Sequence, residues 1–371
     1  MLRDIGNQLD APGILVLNLM DNILALDTEN EYVLFFKNKH FFDRYDDHPN
    51  VKARLLPFPS KLLWDQVLIP WAAAREDVDV IFNLKFSIPL FTKRKTLMHL
   101  RGADAWTFPD WFERLEGIYL RQSIPLFCKK AHHLVVESLS VRAELENYIG
   151  LPRQKVSLAY LAAGEQFRLK TDRTRLDEIS SKYGLPERFL LTVTRVVQGR
   201  KFYPGKNIYN LVEAFRQSQT RREMPLVIVG RETREFIDNF LDKNDSLRQD
   251  LIVPGAISQA ELPYIYTLAE MFVFPSLYES FGIPILEAMA CGCPVITSNT
   301  YSCPEVAGDA AILVDPENTT DIANAIDRLS SNQTLREEKR RRGLARAATF
   351  TWRKSAEQTL KILQMVCSDP S

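Results

Sequence analysis

The sequence predicts an α/β protein built from two doubly wound domains in tandem, each a parallel sheet wrapped in helices. Three observations carry this. The chain has 371 residues, too many for one typical core and enough for two of roughly 150–200 residues each. Short apolar runs alternate with helical stretches, which is the pattern of a parallel sheet. The alternation occurs twice, broken by the charged stretch RLKTDRTRLDEISSKYGLPE at 168–187, which reads as a linker with a short helix. The predicted division is therefore 1–167, 168–352 and a last helix at 353–371.

After a polar start, 12–27 has helical periodicity, with Leu17, Met20 and Leu24 on its apolar face. EYVLFF follows as a strand. DVIFN (79–83), KTLMHL (95–100), HHLVVES (132–138) and KVSLAY (155–160) read as buried strands, separated by longer helical stretches such as 110–130. Beyond the linker, FLLTVT, PLVIVG, LIVPG, MFVFPS and PVITSN are five strand candidates of a second sheet. DIANAIDRL, LREEKRRRGLARAA and TWRKSAEQTLKILQMV form a helical end. Two such domains leave a cleft between them.

Composition narrows the partners. With 47 basic and 47 acidic residues the formal net charge is zero, so no electrostatic case exists for a nucleic-acid partner. The run Arg340, Arg341, Arg342 follows Glu337 and Glu338 on a helix and reads as a solvated face. No apolar run approaches the ~20 residues of a spanning helix, and MLRDIGNQLD is neither part of a signal peptide. A cytoplasmic protein is expected. Five cysteines, an odd number without a secretory signal, argue against a disulfide framework. Cys291 and Cys293 read as buried small hydrophobes.

The chemistry concentrates in SLYESFGIPILEAMACGCPV, residues 276–295. Pro284 suits a first helical turn, because its missing N–H has no intrahelical partner there. The helix ILEAMA then stops at Gly292. Its N-terminus aims the amides of Ser280, Phe281, Gly282 and Ile283 out of the C-terminal edge of a parallel sheet, and Gly282 permits close backbone approach. That is an anion site of the phosphate-binding kind. Glu279 stands just before these amides and Glu287 one turn inside the helix. Carboxylates there accept hydrogen bonds from sugar or ribose hydroxyls, with a diphosphate held between them. The bland alternative makes Glu279 a helix cap and Glu287 a surface residue.

The stretch E-SFGIPIL-E, two glutamates with seven residues between, resembles the signature of the retaining family 4 glycosyltransferases of GT-B fold. The likeness is close over 188–330, through VPGAISQAELPYIYTLAEMFVFPSLYESFGIPILEAMACGCPVITSN and CPEVAGDAAILVDP, and traceable over 13–167. It implies two Rossmann-like domains facing across a cleft, with the last helix crossing back onto the first domain. By this resemblance Glu279 contacts hydroxyls of the donor sugar and Glu287 holds the nucleotide ribose. In LLTVTRVVQGRKFYPGKN, Arg195 and Lys206 neutralise the diphosphate. Their spacing is longer than usual, and Lys201 or Arg200 are alternatives for the lysine. Gly255 and the end of LVIVGRE hold the base.

In the first domain KTLMHLRGADAWTFP resembles the stretch carrying the family's donor-site histidine, here His99. The usual aspartate beside it is replaced by Leu100. A core histidine at a strand end is the alternative. Gly13 falls at the phosphate-facing loop, although MLRDIGNQLD does not supply the apolar strand expected before it.

The implied activity is transfer of a hexose, with retention, from a UDP- or GDP-linked sugar to a saccharide or lipid-linked acceptor in polysaccharide or glycolipid assembly. Glu279 lies beside the phosphate amides, poorly placed for a nucleophile, so attack on the same face as the departing diphosphate is expected, with His99 polarising the sugar. No Asp-x-Asp pair sits in the position of a metal-bridged diphosphate site, and no cofactor or essential metal is expected. A sugar-nucleotide epimerase and a non-catalytic partner subunit are the alternatives. A lipid-linked acceptor would bring the protein to the inner face of the membrane, with Lys93, Arg94 and Lys95 beside Phe91 as a basic-aromatic patch and a solvated loop as the alternative.

Overall fold

The computed structural model describes residues 11–194 and 204–369. The chain divides into two compact units, Met1–Leu161 with Thr351–Ser371, and Ala162–Phe350.

The first unit holds two parallel sheets. β1 (Tyr32–Phe36) pairs with β2 (Val51–Leu55). β3 (Val80–Asn83), β4 (Lys95–Leu100), β5 (His133–Val136) and β6 (Val156–Leu158) make a four-stranded sheet in that order. The sequence reading did not foresee β2. Its residues VKARL alternate between half-buried and exposed, so no apolar run announces it. The Arg114–Lys130 helix packs Ile124, Phe127 and Cys128 into a core with Met98, Leu134 and Val136.

The helix Ala11–Leu26 begins with Pro12 in its first turn. It buries Leu15, Leu19 and Ile23 at four-residue spacing. Gly13, expected in a loop, lies inside this helix, because the apolar face already starts at Leu15 and the tolerated proline lets the helix begin ahead of it. Residues 1–10, where an apolar strand was missing from the sequence, fall outside the described residues. The helix Trp352–Ser368 packs against the Ala11–Leu26 helix and against β3 and β4. Its Ile362 and Val366 enter a core with Leu97, Val135 and Ala159.

The second unit contains β7 (Leu190–Val193), β8 (Leu226–Val229), β9 (Leu251–Gly255), β10 (Met271–Phe274), β11 (Val295–Ser298) and β12 (Ala311–Val314). All pairs are parallel, in the order β12-β11-β10-β7-β8-β9. The sixth strand, AILV, was not foreseen: it lies at the edge of the sheet and leaves Leu313 exposed. β7, β8 and β9 progress in one direction and β10, β11 and β12 in the other, so the topological switch point lies between β7 and β10. In open sheets of this kind ligands bind beyond the carboxyl ends of the strands at that point. Cys291 and Cys293 are buried. Arg342 pairs with Asp309 at 2.6 Å and with Glu338 at 2.7 Å, and Arg340 and Arg341 are exposed, as a solvated helix face requires. No helix among the described residues is long and apolar enough to cross a membrane.

Candidate active site

The loop from β10 to the helix Ile283–Ala290 starts at the carboxyl end of β10 and is pinned by hydroxyls and an amide. Thr297 Oγ1 donates to the Phe274 carbonyl over 2.9 Å and Ser298 Oγ to the Ser276 carbonyl over 2.6 Å. Asn207 Nδ2 donates to the Pro275 carbonyl at 2.8 Å and to that of Pro316 at 2.6 Å. Ser302 Oγ lies 2.7 Å from the Glu279 carbonyl and 2.8 Å from that of Phe281. Buried side chains thus fix a loop that would otherwise leave its carbonyls unsatisfied. Gly282 caps the helix with φ 105°, a left-handed conformation that favours glycine. Pro284 sits in the first turn and no side chain caps the helix.

Two charged residues meet here from segments 73 residues apart. Lys206 Nζ donates to Glu279 Oε1 at 2.5 Å, and it lies 4.6 Å from the centroid of the Phe274 ring. The two side chains are only 15% and 12% exposed, so the ion pair is well shielded. Ser276 Oγ stands 2.6 Å from Glu279 Oε1 and equally far from the Gly205 carbonyl. Leu277 donates its N–H to that same carbonyl at 2.8 Å, which locks 204–206 against the loop. Glu279 is therefore the partner of a lysine and not a helix cap.

Glu287 is buried inside the helix rather than on the surface. The Tyr266 hydroxyl donates to its Oε2 over 3.2 Å. Tyr266 itself is held edge-on against Phe272, 5.2 Å between centroids, and Phe167, 6.0 Å. Burial drives the Glu287 carboxyl up to about 7, against the Tyr266 hydrogen bond and the Lys206 charge, which both favour ionisation.

Of the other residues singled out in the sequence, Phe281 buries its ring against Phe350, so only its backbone is available to a ligand. Ser280 and Ile283 are half-buried at the same helix end. Gly255 ends β9 with φ 85° and accepts the Gly230 N–H through its carbonyl at 2.9 Å. At Gly230 a Cβ would stand 2.2 Å from the Thr194 carbonyl oxygen, so the ends of β7 and β8 approach as only glycine allows. Arg195, Arg200 and Lys201 lie outside the described residues.

In the first unit His99 sits on β4 at 2% exposure, and neither ring nitrogen has a hydrogen-bond partner. Its Nε2 is 3.5 Å from Glu137 Oε2, and Arg101 Nε is 3.7 Å from the same oxygen. Burial, with repulsion from Arg101 behind it, pulls His99 down to about 3. A carboxylate at 3.5 Å favours the imidazolium, but the near-complete loss of solvent around the ring sets the direction and leaves the imidazole neutral. Arg94 and Lys95 are engaged within the protein: Arg94 pairs with Asp77 at 2.7 Å and Lys95 Nζ donates to the Cys367 carbonyl at 2.8 Å. Phe91 is 86% exposed. Tyr266, Ser276, Asn207 and Glu137 were not foreseen. Asn207 adjoins Lys206 in GKN and Ser276 ends MFVFPS, whereas nothing in the sequence marked Tyr266 or Glu137.

A doubly wound parallel sheet with a shielded lysine–glutamate pair and a helix end at its switch point defines an α/β protein that binds its ligand beyond the strand ends. Residues 193–349 match the family described as glycosyl transferases group 1. The O-antigen chain mannosyltransferase B of Escherichia coli is 30% identical over 370 residues, covering 92% of this chain and 93% of that protein. Among solved structures, a glycosyltransferase from Rickettsia africae ESF-5 superimposes with a TM-score of 0.76 at 17% identity, covering 97% of both chains. Anabaena Alr3699/HepE, solved in complex with UDP and glucose, gives 0.74 at 15% identity, covering 98% of both. These likenesses show the two-domain α/β fold of the GT-B glycosyltransferases. The chain belongs to the group 1 glycosyl transferases, and it is an enzyme that transfers glycosyl groups.

Proposed function

We propose that this enzyme is a retaining family 4 transferase that moves a hexose from a UDP- or GDP-linked sugar to a saccharide or lipid-linked saccharide during polysaccharide assembly. The observation that carries the reading is the Lys206–Glu279 pair at the switch point of the second sheet, one residue ahead of the Ser280–Ile283 backbone. A free diphosphate carries the charge that Lys206 is suited to neutralise, and sugar hydroxyls donate to a carboxylate released from the lysine. Glu287 takes the ribose hydroxyls. The polysaccharide setting, and mannose as the first sugar to try, are supported by the mannosyltransferase relative.

In the proposed step the acceptor hydroxyl oxygen bonds to the anomeric carbon on the face from which the diphosphate leaves. The bond from that carbon to the phosphate oxygen breaks, and the hydroxyl proton passes to the departing phosphate. Lys206 and Arg195 stabilise the charge that builds on the leaving group, and His99 hydrogen-bonds the sugar. No metal is required, because cationic side chains do this work.

The test is transfer from UDP- and GDP-linked hexoses, mannose first, to a saccharide acceptor, followed by anomeric analysis of the product. Wild type is expected to transfer with retention and to keep its rate in EDTA. Glu279→Ala and Lys206→Ala are each expected to lose about 100-fold or more in kcat/KM. Inversion of configuration, or full loss in EDTA restored by a divalent ion, would overturn the mechanism. Epimerised donor appearing without acceptor would replace the transfer reading.

A further inference from the structure

We propose that Glu137 is the positioning residue for His99: its carboxylate holds the imidazole with the Nε2 proton toward β5 and leaves Nδ1 as the acceptor for a hydroxyl of the bound ligand. The proposal rests on the reading of His99 as a ligand-binding residue and adds the residue that aims it.

The strands dictate the juxtaposition. In the parallel pair β4–β5, His99 stands opposite Val135 and Leu100 opposite Val136, so Arg101 and Glu137 are the next pair, just past the carboxyl ends of the strands. Side chains alternate between sheet faces, so His99 and Arg101 share one face. The position directly after the histidine is Leu100, an apolar core residue at 2% exposure, which cannot orient the ring by hydrogen bonding. The carboxylate comes instead from the neighbouring strand, with Oε2 3.5 Å from His99 Nε2 and 3.7 Å from Arg101 Nε.

Burial makes this arrangement informative. Glu137 is fully buried and His99 nearly so, and a buried carboxylate persists when a cation lies close by. Arg101, one third exposed, is that cation. Burial and the same arginine keep the imidazole neutral, so the ring has one N–H and one lone pair. The acceptor nearest Nε2 is the carboxylate, which selects the Nε2–H tautomer. The 3.5 Å separation is longer than a formed hydrogen bond and closes with a small ring rotation. Both ring nitrogens are otherwise without partners, an arrangement that is costly in an empty interior. It is relieved when Nε2 tightens onto Glu137 and Nδ1 accepts from a ligand.

Imidazole 15N spectra of the histidine-labelled protein, with His99 assigned by loss of its signals in His99→Asn, read the tautomer directly. The expected wild-type result is Nε2 protonated and Nδ1 bare. Glu137→Leu is expected to mix or reverse the tautomers and to lower transfer kcat by about 10- to 100-fold with donor KM changed less than about threefold. Glu137→Gln, whose amide oxygen can still accept, is expected to keep the tautomer and recover most of the rate. An Nδ1–H tautomer in wild type overturns the proposal even if no Glu137 variant folds, and so does an unchanged tautomer in a folded Glu137→Leu. Full activity in His99→Asn instead removes the ligand-binding role of His99, whatever the tautomer.

Discussion

Glu287 is a carboxylate that the fold prefers to keep protonated, while its proposed ligand prefers it ionised. Ribose hydroxyls donate to the charged form, so donor binding below about pH 7 must first expel a proton. Among the described residues, Tyr266, Lys206 and Cys291 are titratable groups that interact with it, and burial keeps the Cys291 thiol protonated across this range. The dissociation constant for the donor, measured calorimetrically from pH 5 to pH 8.5, is expected to be flat above about 7.5 and to weaken by up to about tenfold per pH unit below about 6.5. Glu287→Gln should flatten that slope, and a wild-type affinity that does not change with pH would refute the assignment. Stability has the opposite sign. The folded-state value of about 7 lies above the ordinary 4.5, so the protonated carboxyl is accommodated without penalty below about 4.5. Relative to Glu287→Gln, wild type loses on the order of 3 kcal/mol as pH rises to 7 and beyond. The two glutamates were legible in the sequence because a fixed spacing around a Gly-Ile-Pro turn marks them. Their partners were not, since Lys206 lies 73 residues from Glu279 and Tyr266 carries no signal until the Leu262–Leu268 helix packs against the Ile283–Ala290 helix.

Among the elements, the Ile283–Ala290 helix depends most on one backbone angle. Gly282 at φ 105° turns the chain into the helix, and a Cβ there would lie 3.0 Å from Ile285 Cδ1. That side-chain end can yield, so the backbone strain sets the cost. Gly282→Ala is expected to lose about 1–2 kcal/mol, lowering Tm by roughly 3–6 °C for a unit of this size. Donor KM should rise further than the stability loss explains, because the first-turn amides shift with the cap. Unchanged Tm and KM in calorimetry and transfer assays would show that the angle is not needed. Strands with continuous apolar runs, such as LVIV and MFVF, were readable because both faces of a parallel sheet are buried. β2 was not, because its residues are half-buried at best and its partner β1 alone tells the sequence where to pair. Gly13 differs for another reason: the family resemblance set it in a loop, whereas the apolar periodicity of 12–27 already ran through it, and the helix Ala11–Leu26 follows the periodicity.

At the scale of the molecule, the second unit is a continuous segment while the first is completed by residues from the far end of the chain. Ile362, Val366 and Leu363 pack into the core beneath β4 and β5. Burying each such side chain contributes about 1.5–3 kcal/mol, a large share of a total stability of about 5–15 kcal/mol. The segment 162–350 expressed alone is therefore expected to melt cooperatively by circular dichroism. The segment 1–161 alone should not, and adding 351–371 as a separate peptide should restore part of its transition. A cooperative melt of 1–161 by itself would show that the last helix is dispensable.

This threading also sets an order of events during synthesis. Chains emerge from the ribosome N-terminus first, and domains commonly fold as they appear. Here the half that is made first lacks its closing helix until residues 351–371 have been translated, so the later half is the one that can finish early. The apolar floor under β4 and β5 stays uncovered through that interval. Abundance in the cell should then depend on how quickly translation passes residue 350, a dependence rooted in chain connectivity rather than in any single contact of the finished enzyme.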